Sequence, residues 1–142
     1  AGKMKARRAH AVPLSKQVRG YLTDLAEMLG REGYVFPSAR SSKRPMSENT
    51  LNAAFRRMGY SKEEVTAHGL RATASTFLNE SGLWNPDAIE RALAHGDSNV
   101  VRGIYHRGKH WDERVRMAQW WSDYLDELRT GGKVIMGKFA KG

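Results

Sequence analysis

Cysteine is absent from all 142 residues of the chain. Without thiols, neither a disulfide-stapled fold nor a cysteine-based zinc site is available to it. The chain also lacks an uncharged apolar run of the roughly 18–20 residues that a membrane-spanning helix needs, which excludes an integral membrane protein. Residues 1–19 are basic and contain no apolar stretch, so they do not have the pattern of a secretory signal peptide.

Several motifs of common enzyme classes are missing as well. There is no glycine-rich phosphate loop followed by Lys and Ser or Thr, which argues against nucleotide hydrolysis. No Gly-x-Ser-x-Gly elbow of serine hydrolases is present. The five histidines are scattered along the chain, apart from His106 and His110, which are four positions apart, and we expect no metal site.

Positive charge is what the chain has in excess. It carries 24 Lys and Arg against 15 Asp and Glu, a formal net charge of +9 with a pI near 10.1. One basic cluster without any acid comprises Lys3, Lys5, Arg7, Arg8, Lys16 and Arg19, and a second comprises Arg102, Arg107, Lys109, Arg114 and Arg116. A single cluster is usually a solvated face, but two on one small domain favour phosphate contacts. A polyanion is therefore expected as partner, nucleic acid first and an anionic membrane surface second.

Apolar periodicity and capping residues predict one domain that is mostly helical. The predicted helices run from Ser15 to about Gly30, Ser47 to Gly59, about Thr66 to Glu80, from Asn85-Pro86-Asp87 onward, over Ser98–Tyr105, and Asp112 to Leu128. Short strands are predicted at Ala9–Leu14, Tyr34–Phe36 and Lys133–Met136. The expected buried stripes are Val18, Tyr21, Leu22, Leu25, Met28 and Leu29 in the first helix, and Val115, Ala118, Trp121, Leu125 and Leu128 in the last.

Four kinds of residue stand out as able to do chemistry. His68 and Arg71, three apart on a predicted helix, share one face, where Arg can hold two phosphate oxygens and His can donate to a third or move a proton. Such a pair is also common on plain helix surfaces. Tyr105 has basic neighbours and could stack on a base, fill the core or attack phosphorus. Lys5 could contact phosphate, act as a general acid or simply be solvated, and His95 ends a predicted helix.

Taken in order, these residues resemble a known pattern. Lys5 before Val12-Pro13-Leu14, then His68-Gly-Leu-Arg71, Leu93-Ala-His95 and Tyr105, is similar to the carboxy-terminal catalytic domain of tyrosine recombinases, the phage integrase family. The segments 7–15 and 117–125 resemble those of prophage and genomic-island integrases. The likeness runs from Lys5 to about Leu128. It implies a partial catalytic core of the DNA breaking-rejoining type, mainly α with a small β-sheet (α+β), over residues 1–130, followed by a tail at 131–142.

The resemblance also implies roles. Tyr105 would attack the scissile phosphate, Arg71, His68 and His95 would hold its non-bridging oxygens, and Lys5 would protonate the leaving 5′-oxygen. No metal or organic cofactor would be needed. The partner would be double-stranded DNA at attachment sites, with self-association on DNA, no membrane, and a location in the bacterial cytoplasm at the nucleoid. The expected DNA contacts are Lys3, Arg7, Arg8, Lys16, Arg102 and Arg107.

One departure from the pattern bears on activity. The family uses a further Arg upstream of the Lys-bearing strand, and only four residues precede Lys5 here. We therefore expect the chain to be a fragment of a longer integrase.

Two other classes of function stay open at this stage. A basic binding module that cuts nothing would explain the charge equally well. A metal-free ribonuclease would use His68 and His95 as acid and base, with Lys5 on the phosphate. Type IB topoisomerases share the recombinase chemistry, so the residues alone do not separate those two activities.

Overall fold

Five helices and a two-stranded sheet are seen in the computed structural model, which describes residues 10–94 and 110–131. The elements are α1 (Lys16–Leu29), β1 (Pro37–Ser38), β2 (Ser41–Pro45), α2 (Thr50–Arg57), α3 (Ala67–Glu80), α4 (Pro86–Ala92) and α5 (Trp111–Arg129). The predicted mainly α fold with a small sheet is confirmed. None of these helices is long and apolar enough to span a bilayer.

Capping side chains explain where three of the helices begin. The hydroxyl of Ser15 accepts the N–H of Val18, 3.2 Å away, and the side chains of Thr66 and Asn85 do the same for α3 and α4. These oxygens satisfy N–H groups that the first turn of a helix leaves unpaired. The predicted starts of these three helices are confirmed. At α2 the prediction is off by two residues, because Asn49 and not Ser47 is the N-cap.

A small core lies where the end of α3 meets α4 and α5. Leu78, Ile89 and Met117 are at most 5% exposed and form one cluster. Half-buried indoles of Trp84, Trp120 and Trp121 close around it. The ring of Trp120 also stacks on Tyr124 with centroids 5.5 Å apart. The rings of Trp120, Trp121 and Tyr124 therefore pack against one another and close the core on this side.

The two predicted apolar stripes are largely wrong. In α1, Tyr21 and Met28 are 63% and 80% exposed, and no residue of that helix is fully buried. In α5, Val115, Leu125 and Leu128 are 40–45% exposed, whereas the buried residues are Arg114 and Met117. The face of α5 that packs is turned by one residue, or about 100° at 3.6 residues per turn. Periodicity fixes how far apart buried residues lie, but not which neighbouring helix they meet.

The predicted strands need correction as well. Pairing occurs at Pro37–Ser38 against Ser41–Pro45, antiparallel, and not at Tyr34–Phe36. Residues 10–14 form no strand. There the carbonyl of Ala11 accepts a hydrogen bond at 2.6 Å from Nη2 of Arg114 in α5, so a side chain takes the place of a neighbouring strand. The elements predicted at 98–105 and 133–136 lie outside the described residues.

Glu113 joins α5 to the start of α4. Its Oε1 accepts the backbone N–H of Asn85 at 2.7 Å, and its Oε2 lies 2.9 Å from Nδ1 of His110. The hydrogen bond from the Asn85 backbone, supported by the His110 side chain, lowers the pKa of the Glu113 carboxyl below its usual value of 4.5. The charged form is thereby favoured in the folded state.

Replacing Glu113 by Gln is expected to make stability less dependent on acid pH. A carboxyl whose pKa is lowered by folding contributes stability above its unfolded pKa, and that contribution is lost as the pH falls through the folded value. At pH 7 we expect Glu113→Gln to cost about 1 kcal/mol in the free energy of unfolding by urea, since the charge-assisted bonds weaken. The deficit should narrow below pH 4.5. A deficit that stays constant down to the acid range would contradict this assignment.

Candidate active site

His68 and Arg71 lie together at the beginning of α3. They are the second and fifth residues of the helix, three apart, and so project from the same side. His68 is exposed and Arg71 half-buried. Neither side chain makes a hydrogen bond or ion pair with another residue in the ranges 10–94 and 110–131. Their donors are therefore not occupied by that part of the chain.

The end of α3 that carries this pair suits an anion. The aligned peptide dipoles of a helix leave partial positive charge at its N-terminus, which favours phosphate. α3 is 14 residues long and has no acidic residue in its first turn. The guanidinium of Arg71 adds a planar fork of donors that fits two phosphate oxygens. Chemically, this turn can bind a phosphodiester and stabilise charge that develops on it.

Two side chains of α2 hold the start of α3 in place. Oδ1 of Asn52 accepts the N–H of Ala67, the first residue of α3, at 2.9 Å. Nη2 of Arg56 donates to the carbonyl of Val65, just before the helix. Asn52 and Arg56 are one turn apart in α2, so both reach the same segment. We call this pair the α2 clamp.

Glycine at position 69 belongs to the same arrangement. The N–H of Gly69 donates to Oγ1 of Thr66 at 2.9 Å, which caps α3. A β-carbon at position 69 would come within 3.0 Å of that oxygen. Gly69 therefore lets the cap sit close against the helix, directly beside His68.

A reciprocal cap orders the turn that precedes α3. The backbone N–H of Ser61 donates to Oε2 of Glu64 at 2.7 Å, and the N–H of Glu64 donates to the Ser61 hydroxyl at 3.3 Å. The Ser61 hydrogen bonds, aided by the positive charge of Arg56, lower the pKa of the Glu64 carboxyl. Sequence reasoning overlooked this turn, although Ser-x-x-Glu at 61–64 is a recognisable capping signal.

Loss of the α2 clamp is expected to loosen the start of α3. Asn52→Ala removes the acceptor of the Ala67 N–H and should cost about 1–3 kcal/mol in unfolding free energy. Asn52→Asp keeps an acceptor oxygen at the same place and serves as the matched control. Hydrogen–deuterium exchange at residues 66–70 should accelerate in Asn52→Ala far more than in Asn52→Asp. Equal exchange in both variants would show that the Asn52 contact does not hold the turn.

Most of the other expected site residues lie outside the described ranges. These are Lys3, Lys5, Arg7, Arg8, His95, Arg102, Tyr105 and Arg107. The structure thus brings His68 and Arg71 together and tests no position of the rest. Ala94, which directly precedes His95, has a left-handed backbone with φ of 51°, at a place after a helix where Gly is usual.

Lys16 is the one expected DNA contact outside α3 that the structure describes. It is the exposed first residue of α1, and its backbone N–H donates to Oε1 of Gln119 at 2.9 Å. Hydrogen bonds from Gln17 and Gln119 lower the pKa of the Asp123 carboxyl nearby, and the Lys16 charge adds to this. Within residues 10–94 and 110–131, no three His, Asp or Glu side chains converge where they could hold a metal ion.

Comparison with known proteins places this geometry in context. The sequence pattern of the phage integrase family matches residues 2–110, which include every expected catalytic residue from Lys5 to Tyr105. The chain belongs to the phage integrase family. Its mainly α fold with a small sheet agrees with an integrase catalytic domain.

Individual relatives support the same assignment. This integrase-family chain is 49% identical over 129 residues to the integrase of Enterobacteria phage P4. The match covers 89% of the chain and 29% of the relative. It is 46% identical over 127 residues to the putative protein IntB and 42% identical over 135 residues to the prophage integrase IntA, both of Escherichia coli (strain K12). These matches cover 88% and 95% of the chain and 32% of each relative. The chain thus spans about a third of the length of these relatives. No solved structure gives a significant match.

Proposed function

We propose that the complete protein is a site-specific DNA recombinase that works through a covalent phosphotyrosine intermediate. The observation that carries the proposal is the pair His68 and Arg71 near the start of α3, with side-chain donors not used by the described part of the chain. The family match supports it, because it spans Lys5, His95 and Tyr105 as well. The partner is double-stranded DNA at attachment sites, on which several copies of the protein assemble.

The proposed reaction needs only side chains of the protein. Oη of Tyr105 releases its proton to water and attacks the scissile phosphorus, forming a 3′-phosphotyrosyl bond. The bond from phosphorus to the 5′-oxygen breaks, and Lys5 gives that oxygen a proton. Arg71, His68 and His95 hold the non-bridging oxygens, where charge builds up in phosphoryl transfer. Because one phosphodiester replaces another, the reverse attack by a 5′-hydroxyl rejoins DNA without ATP.

A nicked DNA substrate tests the proposal. The complete protein is incubated with duplex DNA of its own junction sequence, nicked beside the cleavage point so that the short 5′-hydroxyl fragment is lost. The proposal predicts an adduct resistant to SDS, formed in the presence of a metal chelator. Salt-sensitive binding without an adduct would instead favour a non-catalytic binding module. Cleavage of RNA to a cyclic phosphate would favour the metal-free ribonuclease.

The products of the reaction distinguish a recombinase from a topoisomerase that only relaxes supercoiled DNA. A recombinase joins ends from two different DNA molecules, whereas a type IB topoisomerase rejoins the ends that it cut. Two junction duplexes of unequal length, incubated together, should yield strands of the two exchanged lengths. Recovery of the original lengths alone, with relaxation of a supercoiled plasmid that lacks the junction sequence, would favour the topoisomerase.

A further inference from the structure

An open depression lies between the β1–β2 hairpin, the end of α1 and one face of α2. Apolar residues form much of its floor, among them Leu25, Leu29 and Phe36. Three arginines from two separate elements line it: Arg40 and Arg44 from the hairpin and Arg57 from α2. We call it the arginine groove. The fold brings these three arginines to the lining of one depression, although they are up to 17 positions apart in the sequence.

The charge of the arginine groove is not neutralised locally. All three arginines are exposed, and none forms an ion pair with another residue of the described ranges. None of the described residues that line the groove is acidic. Solvated basic residues are common on protein surfaces, but convergence of three on one depression without a carboxylate creates a local positive potential. An anionic partner is the natural complement.

Hydrogen bonds of the hairpin fix the backbone that carries Arg40 and Arg44. The hydroxyl of Ser38 accepts the N–H of Arg40 at 3.2 Å, at the turn between the strands. At the open end of the hairpin, Met46 donates its N–H to the carbonyl of Phe36 at 2.8 Å. Because this backbone is already ordered, binding does not have to meet the entropic cost of ordering the loop.

α2 connects the arginine groove to the candidate active site. Thr50, Ala53 and Arg57 of this helix line the groove. The α2 clamp residues Asn52 and Arg56 contact the start of α3, which carries His68 and Arg71. One short helix thus faces the groove on one side and holds the site on the other. A partner bound in the groove would therefore contact the same eight-residue helix that holds the start of α3 in place.

We infer that the arginine groove binds the phosphate backbone of duplex DNA at a place separate from the scissile phosphate. The inference rests on the proposed function, since it takes the same partner. Arginine is the side chain whose donor fork fits phosphate oxygens best, and phosphates alternate with less polar sugar edges that can lie over an apolar floor. The contact carries no sequence readout, so it positions DNA for the site on α3.

The salt dependence of DNA binding tests this inference. Affinity of the complete protein for a fluorescent duplex of random sequence is measured by anisotropy at several salt concentrations. The groove variant is Arg40→Gln, Arg44→Gln and Arg57→Gln together. The matched control is Arg31→Gln, Lys62→Gln and Arg129→Gln, which removes the same charge from exposed positions outside the groove.

The two triple variants should behave differently. Each phosphate contact contributes about 0.9 to the slope of log affinity against log salt, so the groove variant should lose about 2–3 from that slope. Raising the salt concentration from about 50 to about 200 mM would then lower the DNA affinity of the unchanged protein about 40-fold more than that of the groove variant. The control should keep nearly the full slope. Equal slopes in both variants would overturn the inference, because net charge alone would then explain binding.

Two further readouts keep the outcome clear. Thermal unfolding checks that the groove variant is folded. If it is not folded, the double variant Arg40→Gln with Arg44→Gln, both on the exposed hairpin, is used in its place. The expected loss of slope for this double variant is about 2. Adduct formation on the nicked substrate separates the two proposals. An adduct together with equal slopes contradicts the arginine groove alone, whereas a complete protein that binds no DNA contradicts the proposed function and the groove together.

Discussion

The Tyr105→Phe variant of the complete protein is expected to form no covalent adduct with the nicked substrate. The substitution removes one oxygen, which is the atom proposed to attack phosphorus, and leaves the ring in place. No neighbouring group in the proposed mechanism can replace that nucleophile, so the yield should fall at least about 10⁴-fold, to background. DNA affinity measured by anisotropy should change less than about threefold, because the hydroxyl contributes little to backbone binding.

Tyr21→Phe is the matched control for Tyr105→Phe. Tyr21 lies in α1, is 63% exposed, and loses the same single hydroxyl on substitution. It should form the adduct at the unchanged rate. An adduct that persists in Tyr105→Phe would show that another residue is the nucleophile, whatever Tyr21→Phe does.

Arg71→Ala is expected to have the second largest effect. Arg71 presents its fork of donors beside the N-terminus of α3, where the dipole of the helix already favours an anion. Loss of one preorganised donor to developing oxyanion charge typically lowers the rate about 10²–10³-fold. We expect that loss in the rate of adduct formation at saturating DNA. Arg71→Lys keeps the charge but loses the planar fork, and should recover only part of the rate.

A surface arginine gives the comparison for Arg71. Arg31→Ala removes an exposed guanidinium from the loop after α1, far in sequence from the pair on α3. Its adduct rate should stay within about twofold of the unchanged protein, since exposed surface substitutions are usually near neutral. If Arg71→Ala weakened DNA binding but left the rate at saturation unchanged, Arg71 would serve binding and not the transition state.

Local signals in the sequence predicted helix ends better than helix faces. Ser15, Thr66 and Asn85 cap their own helices within three residues, so each cap can be predicted from a few neighbouring letters. The face of α5 that packs depends on where α1 and α4 lie, which no short window contains. Arg114 shows this best: it is buried, its guanidinium lies over the ring of Trp111, and it donates to Ala11, 103 positions away in the chain.

In the candidate site, too, the local arrangement could be predicted from the sequence, whereas the contacts between distant parts of the chain could not. The spacing of His68 and Arg71 within one helix puts them on one face, and the structure has them so. The residues that hold this helix were not predictable in that way. Asn52 contacts Ala67 across 15 positions and through a turn, and an Asn within a helix carries no signal of such a contact. The arginine groove likewise depends on the hairpin folding back beside α2.

Direct identification of the covalently modified residue is the most decisive measurement for the account as a whole. The adduct is trapped on the nicked substrate, digested with nuclease and trypsin, and analysed by mass spectrometry. Cleavage after Arg102 and Arg107 releases the peptide 103–107, which contains Tyr105. We predict the mass of a nucleotide on this peptide, located on Tyr105. A nucleotide on any other peptide would contradict the proposed mechanism, even if the protein recombined DNA.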